Sequence, residues 1–180
     1  MARLPYVDPD TAPAHVAEQL RGVPPMTVLR TVAHAQDVFG PWLRFSGGIL
    51  NDLALDPVLR ELAILRVAAL SPGADYEWDQ HEVIARQVGA TDAQIEGARS
   101  GAGLSGDEAL IVRFTEEVVR DVGVSDPTWE AAAARWSARE LVELLLVIGQ
   151  YMMVARIIAT VRVDPDPPAG TALLDALPSG

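Results

Sequence analysis

Cysteine is absent from the 180-residue sequence. That absence removes disulfides, thiolate zinc sites, thiol-based peroxide reduction and dithiol exchange, all of which need a sulfur ligand or nucleophile. Positive charge is scarce as well: 14 basic residues stand against 25 acidic ones, for a formal net charge of −11. Such a chain is a poor fit for nucleic acid or an anionic membrane, although local arginines can still receive a small anion. No apolar run of signal-peptide length opens the sequence. The longest near-apolar run, residues 144–155, already contains Gln150 and is shorter than the roughly 20 residues a bilayer requires. A soluble, cytoplasmic protein with no nucleic-acid or membrane partner is the expectation. The three histidines include no two at ligand spacing, so no metal site is expected. Sustained two-residue alternation is also missing, which points to an all-α fold.

With 49% hydrophobic residues, the chain can bury a substantial core. Prolines 5, 9 and 13 make residues 1–12 an extended lead-in. Residues 13–163 read as one helical domain, and residues 164–180 as a Pro/Gly-rich tail, loose or docked on a neighbour. Thr11 is a candidate cap for a first short helix. Gly40-Pro41 predicts a break or kink between residues 26–35 and the segment that follows. Asp56-Pro57 is a helix start. Ser105/Glu108 and Ser137/Glu140 have capping-box spacing. The helix opened by Asp56 is apolar nearly all round and therefore central. Its charges Arg60, Glu61 and Arg66 leave on different sides, so each needs a partner from another element or a ligand.

The most informative stretch is Tyr76-Glu77-Trp78-Asp79-Gln80-His81. On a helix, Glu77 shares a face with Ile84 and Val88, flanked by Gln80 and His81, while Asp79, Glu82 and Arg86 lie opposite. An acid and an imidazole on the apolar side of a helix are costly unless paired, and such groups are enriched at reactive sites. Trp78 projects off this face and reads as a packing residue. His15 and His34 lie apart from it and read as structural or surface residues.

Leu59-Arg-Glu-Leu-Ala-Ile-Leu-Arg-Val-Ala68, the Tyr-Glu-Trp-x-x-His box at 76–81, Gly89 and Ile95 resemble the carboxymuconolactone decarboxylase family, in the alkylhydroperoxidase-like superfamily. Glu140 to Gly149 followed by Tyr151-Met-Met-Val-Ala-Arg156 is similar to that family's last helix. The resemblance implies a single-domain all-helical bundle that assembles as a homo-oligomer, trimer or hexamer. The peroxidase branch carries two cysteines at the positions of Ala74 and Glu77, and a relay glutamate near Glu61. With both cysteines missing, the chain resembles the cysteine-free, cofactor-independent branch. What this implies is decarboxylase, lyase or isomerase chemistry on a small carboxylated lactone or oxo-acid. His81 would be the general acid, Glu77 its orienting partner, and Glu61 a relay or second base. Arg66, Arg60 and Tyr76 are the candidates for binding an anionic substrate. The alternative is a non-catalytic helical oligomer, a binding or scaffold protein that lost the redox cysteines.

Overall fold

The computed structural model describes residues 1–178, and these form ten helices with no strand. α4 (Pro57–Leu70) is the hub. It packs on α5 (Asp75–Gln87), α6 (Asp92–Ser100), α7 (Gly106–Asp121) and α9 (Ala138–Val161). Its start is built locally. Pro57 occupies the first turn, and the Asp56 carboxylate accepts from Val58 N and Leu59 N at 2.8 and 3.1 Å. From Leu62 to Val67 every side chain is buried, as an all-round apolar helix requires. The boxes Thr91/Gln94 and Ser137/Glu140 cap α6 and α9. Ser105 precedes α7 but makes no capping bond.

α1 (Ala14–Arg21) starts after Pro13 with no side-chain cap, so Thr11 does not serve as one. α2 (Thr27–Val32) is short. α3 (Gln36–Asn51) runs unbroken through Pro41, against the expected break. The bond that Pro41 cannot make belongs to the exposed first turn, where water serves the free carbonyl, while Phe39 and Leu43 anchor the helix in the core. Gly40 allows Gln19 of α1 to approach: a Cβ there would lie 2.3 Å from its amide nitrogen.

α8 (Asp126–Ala133) covers α7 and α9. α9 has 24 residues and contains an 18-residue window of mean hydropathy 1.9, long and apolar enough to cross a membrane. This corrects the estimate from its uninterrupted apolar run, because an average over 18 residues tolerates isolated polar ones such as Gln150. One face of α9 packs on α3, α4, α7 and α8. Val142, Leu145, Leu146 and Met153 on it remain exposed.

The tail is docked on its own chain. Residues 164–170 cross the start of α5 in extended form and lead into α10 (Thr171–Ala176), which lies against α3.

Candidate active site

α4 and α5 bring the candidate acid-base residues together. The α5 face predicted to point inward does so: Glu77, Gln80, His81 and Ile84 are buried, and Asp79 is exposed. The partner of His81 is not Glu77, however. His81 Nδ1 lies 2.8 Å from Glu61 Oε2, contributed by α4. The other oxygen, Glu61 Oε1, accepts from Arg60 Nε at 2.9 Å. Arg60 Nη2 sits 2.9 Å from that same oxygen without completing a second hydrogen bond. Arg60 Nη1 donates to the Leu50 carbonyl. Burial pushes the fully enclosed Glu61 upward, but His81 and Arg60 outweigh it and hold the carboxyl below its ordinary value. Glu61 is therefore an ionised hub fixed between two cations or donors.

Glu77 is the opposite case. It is 3% exposed, and neither carboxyl oxygen has a partner in the protein. Burial alone raises its pKa well above the usual carboxylate range, so it stands as a neutral acid with a proton to give.

Glu77 and His81 line a cavity of about 60 Å³. Its wall is otherwise mostly apolar, including Leu29, Ile49, Leu50 and Ile158. Tyr151 of α9 packs its ring edge-on to the His81 imidazole, with centroids 4.7 Å apart. Burial, with the charge of Glu61, pushes the Tyr151 phenol upward and keeps it a donor. Gln150 reaches Ser46 Oγ at 3.0 Å through Nε2 and leaves Oε1 without a partner. Trp42 Nε1 is likewise buried and unpaired. Trp42, Glu77 and Gln150 all line this cavity, so several of the protein's unmet polar atoms converge on one space.

Sequence reasoning placed Glu61, Glu77 and His81 correctly in the interior but assigned the wrong pairing. Its arginine assignments are also corrected. Arg66 points away from the cavity: Nη1 donates to the carbonyls of Ala98 and Arg99 at 3.3 and 3.0 Å, and Nη2 pairs with Glu116. It closes the end of α6 against α7. Arg60 is occupied by Glu61 and Leu50. No arginine lines the cavity among the described residues, and the chain has no lysine. Tyr76 does line it, but its hydroxyl donates to Asp166 of the tail at 2.8 Å. Trp78 is a packing residue as read, with the Arg99 guanidinium 3.8 Å above its ring. His15 and His34 are exposed.

Tyr151, Ser46 and Trp42 were not singled out from sequence. The one signal for this wall was Gln150, a polar residue inside an apolar run. No three His, Asp or Glu side chains converge in a metal-holding group among the described residues.

Residues 36–117 match the profile of the carboxymuconolactone decarboxylase family. No curated protein matches the sequence. Among solved structures, an alkylhydroperoxidase core, an uncharacterized peroxidase-related protein from Ralstonia eutropha JMP134, superposes with a TM-score of 0.79 at 16% identity, over 92% of each chain. A peroxidase-related protein from Silicibacter sp. TM1040 gives 0.68 at 16% identity, over 77% of this chain and 75% of its own. A protein of unknown function from Agrobacterium tumefaciens gives 0.66 at 19% identity, over 74% of this chain and 94% of its own. At such identities the likeness speaks for the fold. Residues 36–117 therefore resemble the carboxymuconolactone decarboxylase family, and the chain shares its all-helical fold with the alkylhydroperoxidase core from Ralstonia eutropha.

Proposed function

We propose that the protein is a cofactor-independent lyase or isomerase that transfers a proton to carbon in a small lactone or oxo-acid, with decarboxylation as the reference reaction. One observation carries this reading: Glu77 is a buried, partnerless acid on the wall of a cavity it shares with His81. Glu77 is the proton donor. His81, oriented by Glu61, is the second acid-base group and returns a proton to Glu77, a reversal of the roles read from sequence.

In decarboxylation, the bond from the ring carbon to the carboxylate breaks and CO₂ leaves. The electron pair moves into the conjugated lactone carbonyl, and Glu77 then protonates carbon. A carboxylate held here meets no arginine or lysine on the cavity wall. Loss of CO₂ relieves that desolvated charge, whereas an arginine clamp would oppose it. Thiol-based peroxide reduction is outside this chemistry, since no cysteine exists to perform it. We place the protein in the cytoplasm, with no nucleic-acid or membrane partner, on the strength of its net charge of −11. The exposed apolar stripe on α9 supports a homo-oligomer.

The test is to supply 4-carboxymuconolactone without metal or cofactor and follow absorbance together with released CO₂. Turnover is expected, and Glu77→Gln should reduce it at least a hundredfold. Full activity in Glu77→Gln would overturn the assignment of the donor. A folded wild-type protein that releases no CO₂ would remove decarboxylation of this compound. It would favour the scaffold alternative, which the small size of the cavity also supports.

A further inference from the structure

The cavity, about 60 Å³, has room for roughly two water molecules and not for a lactone ring. Some part of its wall must yield before a substrate can enter. Most lining residues come from the start of α2 and from α3, α5 and α9, which are packed in the core. The exceptions are Leu173 and Leu177, from α10 and the turn after it.

This segment is attached differently from the rest of the wall. It follows Arg162, which ends α9 in the left-handed region at φ 57°. A second such residue, Gly170 at φ 57°, precedes α10. α10 has six residues and no side-chain cap. The apolar side chains that the segment turns into the cavity are the two leucines. Ala169 and Leu174 pack against the core, and hydrogen bonds along the rim add further ties. Asp166 Oδ2 accepts from Thr27 N and Oγ1 at 2.5 and 2.6 Å and from the Tyr76 hydroxyl at 2.8 Å. Gln80 accepts from Ala169 N at 2.9 Å, and Asn51 donates to the Leu174 carbonyl at 3.0 Å. Each such bond contributes only about 1 kcal/mol net, because water replaces it on release. A Cβ on Gly47 would lie 2.0 Å from the Pro178 carbonyl oxygen, so α3 carries a glycine where the strap crosses it.

We infer that residues 164–177 form a strap that gates the cavity, held shut at Asp166, and that Leu173 and Leu177 determine which substrates the site admits. The two leucines select small, compact molecules with an apolar flank against the strap. Their truncation admits bulkier ones. This inference rests on the reading of the cavity as the site of chemistry, but its test does not use turnover.

The absence of cysteine makes that test clean. In the full chain, Thr27→Cys combined with Asp166→Cys introduces one pair of thiols, which oxidation joins across the latch and reduction frees. The readout is the rate at which diethyl pyrocarbonate modifies His81, resolved by peptide mass from the exposed His15 and His34. His81 should react at least tenfold more slowly in the oxidised protein than in the reduced one, with His15 and His34 unchanged. Equal His81 rates in the two forms, with the disulfide verified by mass, would overturn the gate. Leu173→Ala and Leu177→Ala, each in the otherwise unchanged chain, should raise the His81 rate severalfold, again with the exposed histidines as controls. An unchanged rate in both would overturn the role of the leucines. A protein that releases no CO₂ from any lactone yet passes this test loses the proposed reaction and keeps the gate.

Discussion

Two buried glutamates one helix apart, Glu61 on α4 and Glu77 on α5, have had opposite fates. Both are almost fully enclosed, at 0% and 3% exposure. Glu61 has each of its oxygens engaged, by His81 and by Arg60, and is held ionised. Glu77 has neither oxygen engaged, faces a cavity, and is held neutral. Burial acts the same way on both, so the difference comes from the neighbours. A carboxylate between an imidazole and a guanidinium gains more from them than it loses in desolvation. A carboxyl without such neighbours keeps its proton. Glu61 therefore belongs to the frame that orients His81, and Glu77 faces the cavity without a partner. Arg66 resembles Glu61 in this respect, since it is a buried charge whose partners hold α6 and α7 together away from the cavity.

The largest expected effect breaks the satisfied member. Glu61→Gln leaves the buried Arg60 without its counter-charge and should cost about 3–5 kcal/mol. The melting temperature should fall by about 10 °C in a chain of this size. A fall of less than about 2 °C would put Glu61 outside the frame. Arg66→Met comes next. It removes the two carbonyl contacts and the Glu116 pair, and should cost about 2 kcal/mol, or roughly 5 °C. Diethyl pyrocarbonate should still modify His81 at the wild-type rate, and a changed rate would tie Arg66 to the cavity after all.

The smallest effect has the opposite sign. In the unfolded chain Glu77 ionises near its ordinary value of 4.5, whereas in the folded protein it keeps its proton to higher pH. Unfolding therefore releases a proton in that window, and the stability tied to Glu77 declines as pH rises from about 4.5 toward the folded value. Glu77→Gln removes the decline. Its melting temperature should match wild type at pH 4 and exceed it by about 3 °C at pH 8, roughly 1 kcal/mol. Glu61 behaves in the reverse sense. Its contribution is complete above about 4.5 and is lost as pH falls through the lowered folded value. Thermal scans across pH separate the two. A Glu77→Gln variant that loses stability at pH 8 would show that the carboxylate has a partner.

Local rules made much of this chain legible. The starts of α4 and α9 were readable because a cap and the amides it satisfies lie within three residues of each other. The inner face of α5 was readable because helical periodicity alone decides which side chains point together. The same periodicity misled over His81. Spacing of four residues makes Glu77 an available partner, but it cannot reveal that Glu61, twenty residues earlier, arrives from another helix at 2.8 Å. Pro41 was misread because its missing bond falls where solvent can compensate.

The sequence by itself determined the helical class, the central place of α4, the burial of Glu61, Glu77 and His81, and the exclusion of thiol chemistry. All of these follow from composition or from spacing within one helix. Only the tertiary structure decided which glutamate holds the histidine, which faces the cavity, where the arginines go, and that the tail docks on α5 through Asp166, Gln80 and Tyr76. Those outcomes depend on groups far apart in sequence, whose distances and desolvation exist only once the helices have packed.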